Sequence, residues 1–121
     1  MINRFEDNLV RPRYYRRDGT PYEGSGYEAM MAWGRDFEDL EKKTMRKTLL
    51  PNGYYISTVW LGMDHRLLGT GKPLIFETMV FDNLKKRRGF AGMVFSPDVE
   101  MARDSTEAEA LKGHERLKEK W

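Results

Sequence analysis

The chain has no cysteine, which excludes disulfides and thiolate metal sites. It has only two histidines, His65 and His114. No apolar run approaches the ~18 residues that a membrane helix needs. The first ten residues, MINRFEDNLV, carry Arg4, Glu6 and Asp7 and lack the apolar segment of a secretion signal. Cytoplasm is therefore the expected location, with no membrane partner. An excess of one charge is missing too: 21 Lys and Arg face 19 Asp and Glu, for a net charge of +2. That is too small to imply a nucleic-acid partner on its own. There is no internal repeat, low-complexity tract or dividing linker, so residues 1–121 are expected to form a single domain.

What is present suffices for a core. Six Tyr, six Phe, three Trp and eight Met accompany an ordinary soluble balance of 40% apolar and 33% charged residues. A chain of this size buries roughly two thirds of its unfolded surface. Residues 13–23 read as an extended segment around the turn signal Asp18-Gly19. Met30, Trp33, Phe37 and Leu40 recur at helical spacing and predict a helix over 27–43. Asn52-Gly53 lies between two β-prone runs, KTMRKTLL and YYISTVWLGM, a hairpin signal. LIFETMVF predicts a third strand, FAGMVF (90–95) a fourth, and VEMA (99–102) a short edge piece. Thr106 and Glu109 fit a capping box before a helix over 107–120, with Leu111, His114, Leu117 and Trp121 on one stripe. The expected fold is α+β: an antiparallel four-stranded meander with an N-terminal and a C-terminal helix.

Polar residues set into these apolar segments are the first candidates for chemistry. Asp64 and His65 end the second strand, Glu77 sits within the third, and His114 lies on the stripe of the last helix. Two readings follow. One is a divalent metal site or a His–carboxylate acid/base pair. The other, favoured here, is a buried polar network that fixes register, because unpaired buried polar groups cost roughly 1–3 kcal/mol. No HExxH or His-x-His supports a metal, and Asp64 and His65 point to opposite faces of a strand. Ser57-Thr58 lacks the glycines of a nucleophile elbow. Gly69-Thr70-Gly71-Lys72 resembles part of a phosphate loop, but Arg66 stands where its first glycine belongs and Pro73 where Ser or Thr belongs. No catalytic residue, metal or cofactor is expected.

Basic residues interleaved with aromatics mark a candidate partner surface. Tyr14, Tyr15, Arg16 and Arg17 suit a protein interface or base stacking with phosphate contact. Lys72 and the run Lys85, Lys86, Arg87, Arg88 could add to it.

The same residues carry a resemblance. Tyr15 to Pro21, Trp33 with Phe37 to Asp39, Ser57 to His65, Pro73 to Phe81, and Gly113-His114 resemble a family of small bacteriophage and prophage proteins. The family pattern includes strands reading Ser-Thr-Val-Trp-Leu-Gly-x-Asp-His and Pro-Leu-Ile-Phe-Glu-Thr-Met-Val-Phe. The match is only approximate over Ser105 to Ala110, and the Lys85 to Arg88 run has no counterpart. The resemblance implies a phage accessory protein made in the infected cell. Such proteins often act by non-catalytic binding to a host or defence protein, in counter-defence or host takeover. The alternatives are a nucleic-acid or signalling-nucleotide binder, and a metal-dependent enzyme using Asp64, His65, Glu77 and His114. An exposed edge strand would also permit a homodimer.

Overall fold

The computed structural model describes residues 12–64, 71–85, 87–89, 92, 94, 95 and 97–121. Helices α1 (Gly26–Phe37) and α2 (Leu40–Lys43) precede strands β1 (Thr44–Leu49), β2 (Tyr54–Trp60) and β3 (Phe76–Asp82). Two short strands follow, β4 (Arg87–Arg88) and β5 (Val94–Phe95), then β6 (Asp98–Asp104) and the C-terminal helix α3 (Glu107–Lys120). Strands β1, β2, β3 and β6 form one antiparallel four-stranded sheet in that order. The α+β meander expected from the sequence is present. Its fourth strand is Asp98–Asp104, however; of the strand expected over 90–95, residues 90, 91 and 93 lie outside the described residues. Val94–Phe95 pairs instead with Arg87–Arg88 in a separate ribbon.

Each local feature has a chemical cause. Helix α1 starts at Ser25, whose side chain accepts from Glu28 N–H while Glu28 accepts from Ser25 N–H. This capping box satisfies two donors that the first turn leaves open. The single helix expected over 27–43 is broken at Asp39, which is extended and accepts from Glu41 and Lys42 N–H. An Asp side chain that caps a new helix competes with continuation of the old one. In the β1–β2 turn, Gly53 N–H donates to Leu50 O and Leu50 N–H to Tyr54 O. Gly53 has φ 95°, so this is a three-residue loop ending in a left-handed glycine. The Asn52 side chain completes it, accepting from Tyr54 N–H and donating to Trp121 O.

Helix α3 lies across one face of the sheet, in contact with all four strands, and α1 packs at its Trp60–Leu61 end. Ala29, Trp60, Ile75, Phe76 and Ala110 form one core cluster, with Trp33 and Phe37 packed on it. Ile56, Val80 and Leu117 form a second. Helix α1 buries its Ala29–Trp33–Phe37 side, whereas Met30 and Leu40 face outward, 39% and 66% exposed. Strand β2 ends at Trp60 because Gly62 turns to φ 70°. A Cβ there would come within 2.5 Å of the Trp60 ring and 2.6 Å of Trp33 Nε1. The N-terminal segment closes this end, with Tyr15 N–H donating to Gly62 O and Asp64 N–H to Arg13 O.

Candidate binding surface

His114 is fully buried between α3 and the sheet. The Thr48 hydroxyl lies 2.8 Å from its Nε2 and the Thr58 hydroxyl 2.7 Å from its Nδ1. The Thr78 hydroxyl lies 2.8 Å from that of Thr58. Register places these threonines on three adjacent strands facing α3. A neutral imidazole donates from one nitrogen and accepts at the other, and hydroxyls can do either, so the chain closes with both tautomers. Burial, then the nearby Arg46 charge, push the His114 pKa below its ordinary value. Both ring nitrogens are committed to threonines, so this is a device that locks α3 to the sheet.

Glu77 does not join it. Because Glu77 pairs with Val59 and Arg103, it lies on the face away from the helices. Its carboxylate accepts from Arg103 Nε at 3.1 Å, tying β3 to β6. Asp64 is buried near Arg13 at the N-terminal segment, past the break at Gly62. His65 lies outside the described residues. Glu77 and His114 thus occupy opposite faces and share no network. Among the described residues no group of three or more His, Asp or Glu is placed to hold a metal ion, and no helix is long and apolar enough to cross a membrane.

The Tyr-Arg segment is mostly used internally. Tyr15 is 6% exposed; its hydroxyl donates to Pro12 O, and its carbonyl accepts from Trp60 Nε1. The half-buried Tyr14 ring lies 5.0 Å from Trp33. Arg16 sits over the Tyr22 ring and donates to Pro21 O. Arg17 donates to Lys42 O and to Glu107, bridging to α3. Around a cleft of about 160 Å³ between them, Tyr22 O–H and Lys42 Nζ both donate to Asp36. Those hydrogen bonds lower the Asp36 pKa, while burial raises that of Tyr22. Each of these cations already has an acceptor or a ring. Lys72, Lys85 and Arg88 are exposed; Lys86 and the side chain of Arg87 lie outside the described residues.

The open face of the sheet is different. Register builds it in three rows across β1, β2, β3 and β6. These are Leu49–Tyr55–Phe81–Asp98, Lys47–Ser57–Met79–Met101, and Thr44–Val59–Glu77–Arg103. The Tyr55 and Phe81 rings lie side by side, with centroids 6.1 Å apart. Leu49, Met101 and the neighbouring Val99 are 66%, 49% and 41% exposed. Among the described residues no helix packs on this face. An antiparallel sheet with one wet face normally alternates apolar and polar side chains. Here Tyr55, Val59, Met79 and Phe81 are apolar at outward positions, as Ile56, Trp60, Phe76 and Val80 are at inward ones.

Set against known proteins, the chain matches no family model, no curated protein and no solved structure.

Sequence reasoning passed over the open face because it asked where polar residues interrupt apolar strands. The signal that would have found it is the converse: strands β2 and β3 are apolar on both faces while all the helical stripes are needed on one.

Proposed function

We propose that this is a non-catalytic binding protein that presents the open face of its sheet to a protein partner. The observation behind this reading is the contiguous apolar surface of Leu49, Tyr55, Val59, Phe81, Met79 and Met101. Contiguous exposed apolar patches on soluble proteins mark interaction sites. Aromatic rings supply rigid contact area and methionines adapt to their neighbours. The rim carries Lys47 and the Glu77–Arg103 pair, which would set orientation.

The class of partner comes from the family resemblance: a host or defence component in the cytoplasm of a phage-infected cell. The test is affinity capture from that cell with wild type and Met79→Arg, followed by native mass spectrometry. A component held by wild type and lost by Met79→Arg supports this face as the site. Equal capture by both refutes it. Nucleic acid or a nucleotide is the second reading, favoured by exposed Lys72, Lys85 and Arg88. It requires affinity that falls steeply with salt.

A further inference from the structure

We propose that, without another partner, the open face is closed by the same face of a second copy, giving a two-fold symmetric sheet sandwich. This rests on the reading of that face as a binding surface and names its first occupant. Closed two-fold dimers are the commonest oligomers, and they need a surface complementary to itself.

The register supplies that complementarity. With the two-fold axis along the strands, β1 of one copy lies over β6 of the other, and β2 over β3. Tyr55 then meets Phe81 of the second copy, Ser57 meets Met79, and Val59 meets Glu77. Lys47 meets Met101, and Arg103 meets Thr44. Leu49 meets Asp98. None of the four charges on these rows (Lys47, Glu77, Asp98 and Arg103) faces its own kind, and the aromatic pair falls on the central strands. The perpendicular axis in the sheet plane instead sets Lys47 against Lys47 of the other copy, so it is disfavoured.

Size sets the strength. Strands ~4.8 Å apart that rise ~3.3 Å per residue give one six-residue and three seven-residue strands a plane of roughly 430 Å² per copy, or roughly 860 Å² for two. Side-chain relief brings this to the low end of specific interfaces, above most lattice contacts. The dimer should therefore be weak, forming in the micromolar range and yielding to a tighter partner.

Sedimentation of the full chain over a concentration series tests this, with circular dichroism confirming that each variant is folded. Wild type should double in mass as concentration rises. Met79→Arg, which puts two cations near the axis, should stay monomeric, and Met79→Leu should still dimerise. Met101→Glu would set a carboxylate opposite Lys47 of the second copy twice per dimer, so it should tighten association several-fold. A monomeric wild type at every concentration, an undiminished dimer in Met79→Arg, or weakening by Met101→Glu overturns the proposal. The binding reading fails separately: it falls if capture of a host component is unaffected by Met79→Arg, whatever the mass of the free protein.

Discussion

At the residue scale, the polar groups inside the apolar strands are structural ties of unequal strength. His114→Ala leaves a cavity and removes the acceptor or donor shared by Thr48 and Thr58, so it should cost about 3–5 kcal/mol. Arg16→Ala combined with Arg17→Ala removes a cation over a ring and a half-exposed ion pair, and should cost less, about 1 kcal/mol. Urea unfolding of both variants checks the order; a His114→Ala protein as stable as wild type would remove the helix-locking role. The same histidine predicts a pH dependence. Its folded pKa lies below the ordinary 6.5, so the unfolded chain takes up the proton first. Stability is therefore full above pH 6.5 and falls as pH drops from there toward the depressed folded value. Asp104, whose pKa is raised chiefly by burial, acts in the opposite sense, but near the carboxylate range at lower pH. Unfolding free energy should slope downward below 6.5 in wild type and be flatter in His114→Gln. Glu77 sits beside an Arg103 that is 31% exposed. Glu77→Ala should thus cost only about 1–2 kcal/mol and Glu77→Gln less than 1, with chelator leaving the wild-type Tm unchanged. A chelator-sensitive Tm would instead make Glu77 a metal-ligand candidate.

At the element scale, short polar signals decide where helices start and stop. Thr106 Oγ1 accepts from Glu109 N–H and donates to the Glu109 carboxylate. The helix it starts carries Ala110, Gly113, His114 and Leu117 into the interior. Thr106→Ala should therefore cost about 1 kcal/mol, read as a lower urea midpoint at unchanged m-value. Thr106→Asp should restore most of it, since Asp is an equally good cap; no recovery would mean that the hydroxyl acts through something other than the cap. Asp39 shows the limit of periodicity. The Met30–Trp33–Phe37–Leu40 spacing is continuous, yet a capping side chain ends one helix and begins another. The fourth strand shows a related limit. FAGMVF looks more strand-like than DVEMARD, but it is the acidic segment that pairs with β3 along its length, while Val94–Phe95 pairs with Arg87–Arg88.

At the scale of the whole molecule, the two faces of one sheet lead separate lives, and neighbouring residues can be used to prove it. Val80 is fully buried under α3 while Met79, beside it, faces outward. Val80→Arg should abolish folding, because it forces an unpaired charge into the core. Met79→Arg should leave the unfolding free energy within about 1 kcal/mol of wild type. Comparable destabilisation by both would mean that the chain covers its own second face. The sequence alone determined the α+β class, the Asn52-Gly53 turn, the threonine cap and the His114 stripe. Each of these is written in nearest neighbours or in a single period. It also excluded disulfides, since no cysteine is present. Tertiary structure alone decided that Glu77 and His114 are on opposite faces, that Tyr15 is core, and that among the described residues no helix packs on one apolar face. The reason is register: a one-residue slip between β2 and β3 exchanges every side chain between faces. No local propensity sets that register. It is set by which face buries the more apolar area once α3 has packed on it.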